Sequence, residues 1–152
     1  MIVRIRALAL ACLAACGEAE SSACDGFAER NLAILGSEYR PCAGEILAEL
    51  DALRPLLEEI VAGEATNAAA ARRHYDSLDD RVDATGIMDD YRSMRPSTVV
   101  VKWPEASTRA FNQAAFDAMV RYQAVLAFPS EDVLGQGIRA HDQARQAYDG
   151  MR

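Results

Sequence analysis

Residues 46–61 read ILAELDALRPLLEEIV, and the rhythm of that run decides the fold class. Ile46, Leu50, Leu53, Leu57 and Ile60 recur at steps of four and three, flanked by Leu47, Leu56 and Val61. A helix turns once every ~3.6 residues, so these side chains form one apolar stripe facing a core. Pro55 lies inside the run, where it removes one backbone hydrogen bond and is expected to kink the helix. Gly63 marks the stop.

The same rhythm recurs downstream. A second helix is expected from Thr66, a plausible N-cap, carrying Ala71, Tyr75, Leu78 and Val82 until Gly86. A third runs from about Pro104, well placed in a first helical turn, through Phe111, Ala115, Met119, Tyr122 and Leu126 to Phe128-Pro129. Ser130 caps a fourth, with Glu131 and Asp132 in its first turn. Its stripe is Leu134, Ile138, His141, Arg145 or Ala144, and Tyr148, with Gly135 and Gly137 weakening its start. Asp25 to Leu35 reads as a short helix with Phe27, Leu32 and Leu35 inward, broken at Gly36. Residues 98–103 (TVVVKW) are β-branched and preceded by Pro96, so they read as an extended connector whose valines and Trp103 lie over the bundle. The expected architecture is an all-α helical bundle of about four main helices plus a short N-terminal one.

The start of the chain follows a different grammar. Arg4 and Arg6 are followed by an uncharged run from Ala7 to Gly17, and no acidic residue precedes Glu18. As a helix that run reaches roughly 16 Å, about half a bilayer core, so it cannot span. A cationic start, a short apolar middle and small residues before the break describe a secretory signal peptide over residues 1–15. Leu13-Ala14-Ala15-Cys16 resembles the lipobox of bacterial lipoproteins. The resemblance covers about a tenth of the chain and implies a lipid-modified Cys16, cleavage in front of it and a membrane anchor carrying two or more acyl chains. Cys12 lies in a poorer frame and is not read as the anchor. By the same resemblance Gly17, in place of aspartate, points to the outer membrane. Residues 16–23 then read as a lipidated flexible tether and 24–152 as the helical domain.

Cleavage before Cys16 leaves 137 of the 152 residues, the size of one domain, and the formal charge of −7 becomes −9 as Arg4 and Arg6 depart. Such a surface repels phosphate backbones, which argues against nucleic acid. Attraction to membrane must come from the lipid. Once Cys12 has left and Cys16 is modified, Cys24 and Cys42 remain, an even pair suited to an oxidising compartment. In one straight helix they would lie ~27 Å apart, whereas a bridge needs Cα atoms within about 7 Å. The bond therefore requires a reversal, placed at Gly36, with Ser37 to Pro41 running back extended along the first helix.

Sites are few. His74 and His141 are the only histidines and the weak candidates for a shared metal. Repeated Glu-x-x-His and CxxCH are absent, so neither a di-iron bundle nor covalent c-type haem is indicated. Asp76, Asp79, Asp80 and Asp83 share one helix face, followed by Asp89 and Asp90; oxygen ligands suit calcium or magnesium, but Arg72, Arg73 and Arg81 are near enough to compensate a solvated face. Trp103, Phe111, Phe116, Tyr122 and Phe128 are able to line an apolar pocket, or simply to pack the core. No GxSxG, HExxH or glycine-rich phosphate loop is present, so no catalytic residue and no cofactor is assigned. The expectation is a lipid-anchored envelope protein with a structural or protein-interaction role; the alternative is a periplasmic ligand or metal binder.

Overall fold

The computed structural model describes residues 21–64, 67–92 and 96–152. Six helices follow in order: α1 Gly36–Val61, α2 Ala68–Thr85, α3 Ile87–Arg92, α4 Pro96–Lys102, α5 Ala106–Ala127 and α6 Glu131–Asp149. No strand forms among the described residues. The four long helices are the expected ones, and their stripes make the core: Ile46, Leu50, Leu53 and Leu57 from α1, Ala71, Tyr75, Leu78 and Val82 from α2, Phe111, Ala115, Met119 and Tyr122 from α5, and Leu134 and Ala144 from α6. On α6 it is Ala144, not Arg145, that turns inward. Helices α5 and α6 pack most extensively, with α1 lying against both and against α2.

Helix ends follow the local chemistry. The Ser130 hydroxyl accepts from the Val133 N–H and caps α6. Gly86 closes α2 at φ +71° with the Ala28 backbone only 3.0 Å from where a Cβ would sit, so both conformation and space demand glycine. Thr66, expected to cap α2, lies outside the described residues; Asn67 stands at the cap and donates through Nδ2 to Glu59 at 2.7 Å. Helix α1 continues through Pro55 to Val61.

Three expectations are overturned. Residues 25–35 form no helix but a chain of turns. Gly26 adopts φ +83°, and the backbone donors are spent between segments: Ala28 N–H to the Ala84 carbonyl at the end of α2, Ile34 N–H to the Lys102 carbonyl at the end of α4. Phe27 is buried as expected, but Ile34 is the other inward residue, while Leu32 and Leu35 are exposed. Gly36 does not end a helix; it begins one. Its N–H donates to Glu105, the residue before α5, at 2.9 Å, and a Cβ there would lie 2.5 Å from that carboxylate, which would have to shift. Residues Ser37 to Pro41 are accordingly helical, not extended: burial of Tyr39, Cys42 and Ala43 outweighs the preference that Pro41 imposes on Arg40. Residues 98–102 are helical too. A proline at the first position suits a helix, the β-branched penalty is only a few tenths of a kcal/mol per residue, and the Trp103 N–H closes the last turn on Val99. Trp103 is buried, whereas Val100 and Val101 face outward.

Around Trp103 the aromatic residues converge on Tyr39, whose ring stands edge-on to Phe27, Trp103 and Phe111 at centroid distances of 5.5, 4.8 and 6.1 Å. Phe128, one of the five aromatic residues able to line a pocket or pack the core, does neither: it is 81% exposed beyond the end of α5.

Candidate functional site

The best-built polar assembly lies where the N-terminal segment joins the bundle. Cys24 and Cys42 stand at disulfide distance, with Cα atoms 4.6 Å apart. The reversal that this pairing requires is present, but in the opposite order from expectation: the irregular, turn-rich segment comes before Gly36, and the helix follows it. Glu45, three residues beyond Cys42 on α1, accepts from the Ser22 hydroxyl at 2.6 Å and the Ala23 N–H at 2.9 Å. Ser22 and Ala23 are therefore both held against α1. The Ser22 hydroxyl, with the Ala23 N–H and the Arg81 guanidinium, keeps the Glu45 carboxyl below the usual carboxylate range.

Arg81 carries the assembly across to α2. It pairs with Glu45 at 3.3 Å and Glu49 at 3.7 Å and donates to the Ser77 hydroxyl at 2.6 Å. Glu49 in turn accepts from Ser77 at 2.8 Å and meets His74 Nδ1 at 2.8 Å. Of the three arginines expected to compensate the aspartates of α2, Arg81 is thus turned towards α1. Asp76, Asp80 and Asp83 face solvent, and Asp79 has its carboxyl raised by burial and then by those three neighbours. Among the described residues no three acidic, histidine or cysteine side chains converge to hold a metal.

His74 and His141 are not brought together. Their partners on α1, Glu49 and Asp51, are two residues apart and so point ~200° apart around the helix axis. His141 is buried, with Nε2 2.9 Å from Asp51 and Nδ1 3.0 Å from the Tyr122 hydroxyl; Arg145 also reaches Asp51. Asp51, His141 and Tyr122 have the residue types of a proton relay, but the tyrosine hydroxyl lies in the core, where burial pushes its pKa well above the ordinary value. No substrate reaches that oxygen without parting the helices. Both ring nitrogens are satisfied, which makes this a core histidine.

A third feature is a groove of about 350 Å³ beside Lys102, bordered by Ala28, Arg30, Asn31, Asp90, Ser97 and Val101. Its cations are already engaged. Lys102 pairs with Asp90 at 3.4 Å, donates to the Thr85 carbonyl at 3.2 Å and lies 5.5 Å over the Trp103 ring, and Trp103 Nε1 donates to Asp90 at 3.0 Å. Arg30 pairs with Glu38 at 3.5 Å.

The sequence pointed to Cys24, Cys42 and the two histidines, not to Glu45, and placed Arg81 only beside the aspartates of α2, not against Glu45 and Glu49. The only signal for Glu45 is position: it lies one helical turn from Cys42. Cys16 lies outside the described residues. No described helix is long and apolar enough to cross a membrane. No family model, curated protein or solved structure matches the chain.

Proposed function

We propose that the protein is a lipoprotein of the bacterial cell envelope, exported by residues 1–15, anchored by lipid on Cys16, and presenting its helical domain in a structural or protein-interaction role. The observation that best supports this reading is the clasp beyond the anchor. Eight residues after Cys16 the chain meets α1 at Cys24–Cys42, and Glu45 with Arg81 ties the same point to α2. A pull on the tether is thereby carried by two helices of the bundle and not by one fraying terminus. Oxidation of the cysteine pair belongs to an exported protein.

Fractionation of cells carrying Cys16→Ala tests the proposal. The parent protein is expected in the membrane fraction, with an acylated N-terminal peptide by mass spectrometry, and the variant is expected to lose both. Unchanged membrane partition of the variant, with Cys12 intact, would show that the anchor is elsewhere.

A further inference from the structure

We infer that the end of the bundle at which α1 begins docks on the lipid surface that carries the anchor; the inference rests on the proposed lipidation of Cys16. Distance selects that end. Five residues lie between Cys16 and Ser22, so six chain steps join them, a path of at most ~20 Å when fully extended. Ser22 is fixed to Glu45, which lies ~14 Å along α1 from Gly36 and ~24 Å from Val61. The Gly36 end is thus the end of the bundle closer to the anchor, and it lies within the tether's reach of the bilayer.

The surface found there is apolar. Leu32, Leu35, Val100 and Val101 are 75%, 50%, 51% and 65% exposed. Every one of them lies within two residues of the Ile34–Lys102 backbone hydrogen bond of 2.8 Å, which joins the N-terminal segment to α4. Among the large apolar side chains that the described residues expose, only Val120 and Phe128 lie elsewhere. Ile34 and Trp103, beside these residues in sequence, are fully buried, and Tyr39 packs against Trp103 with ring centroids 4.8 Å apart. Clustered apolar exposure of this kind marks an interaction surface. The flanking cations Arg30 and Lys102 are neutralised by Glu38 and Asp90, so contact is apolar and insensitive to salt. A soluble partner must reach this end by diffusion, whereas the tether holds it continuously beside acyl chains.

The full lipidated chain, reconstituted in phosphatidylcholine vesicles doped with a lipid bearing a photoreactive diazirine on its acyl chain, tests this directly. Mass spectrometry of the adducts is expected to place labelling on residues 30–36 and 97–103, with most of it lost in a Val100→Ser/Val101→Ser variant that stays vesicle-bound and helical. Retention on vesicles with labelling confined to the Cys16 peptide, or located around Phe128, overturns the docking while leaving the anchor intact. A cross-linked dimer through the patch also overturns it, by showing that a second copy covers the face. Failure of the chain to partition into vesicles at all refutes the anchor, and the docking with it.

Discussion

Gly135→Ala and Gly137→Ala add the same methyl group two residues apart on α6, and the structure separates their outcomes. Each substitution removes a flexible residue from a helix interior and gains ~1 kcal/mol in helix propensity. At position 135 the new Cβ meets nothing closer than Arg139 Nη1 at 3.7 Å, an ordinary contact with a mobile side chain. At position 137 it would lie 2.7 Å from both Cδ1 and Cε1 of Tyr122 and 3.2 Å from the Cβ of Arg121. Tyr122 cannot swing clear, because its ring is fully buried and its hydroxyl is held by His141 at 3.0 Å. The methyl group must therefore push α6 off α5, an overpacking cost of ~1–3 kcal/mol. Net of propensity, Gly137→Ala is expected to be up to ~2 kcal/mol less stable than the parent, and Gly135→Ala ~1 kcal/mol more stable. At about 3 °C per kcal/mol for a domain of this size, the two melts should differ by roughly 3–9 °C. Thermal unfolding of exported residues 22–152, followed by circular dichroism at 222 nm, measures it. A Gly137→Ala melt at or above that of Gly135→Ala would refute the close α5–α6 approach.

Two further outcomes follow from the clasp and the core histidine. Replacing Cys24 and Cys42 by serine opens a closure spanning 18 residues and should cost about 3 kcal/mol, with the helical signal below the transition nearly unchanged because residues 22–35 are not helical. Equal melts with and without reductant in the parent would show that the pair is not oxidised. Burial pushes the His141 pKa below its ordinary 6.5, with Asp51 opposing, so the unfolded chain takes up the proton more readily. Stability from this site is full above pH 6.5 and falls as the pH drops towards the folded-state value. His141→Gln should flatten that decline in urea titrations across the same range; an identical acid slope would remove His141 as its source.

The four long helices were legible because each carries an uninterrupted apolar stripe over several turns, and a stripe of period 3.6 has one way to be buried. The cysteine pairing was legible for a different reason. The proposed export and lipidation account for the other two cysteines, and the reversal needed to close the pair is a matter of chain length. Short segments behaved otherwise. Residues 25–35 and 96–102 are too short for propensity to decide, since a few tenths of a kcal/mol per residue is outweighed by one buried tryptophan or one backbone bond to a neighbouring segment. The Trp103 side chain and the Ile34–Lys102 bond made α4 a helix and the N-terminal segment a strap.

Glycines and charges show the division most sharply. Gly36 and Gly137 look like helix breakers in one dimension. Only the packed bundle reveals what they face: at Gly36 the Glu105 carboxylate that accepts its N–H, and at Gly137 a Tyr122 ring that leaves no room for a Cβ. Arg81 looks like a partner for the aspartates around it on α2, yet its guanidinium lies against Glu45 and Glu49 on α1. Periodicity along the chain determines which faces are buried, because the hydrophobic effect depends on surface and not on partner. Which side chain meets which depends on how the buried faces are rotated against one another, and that was decided only when the helices packed.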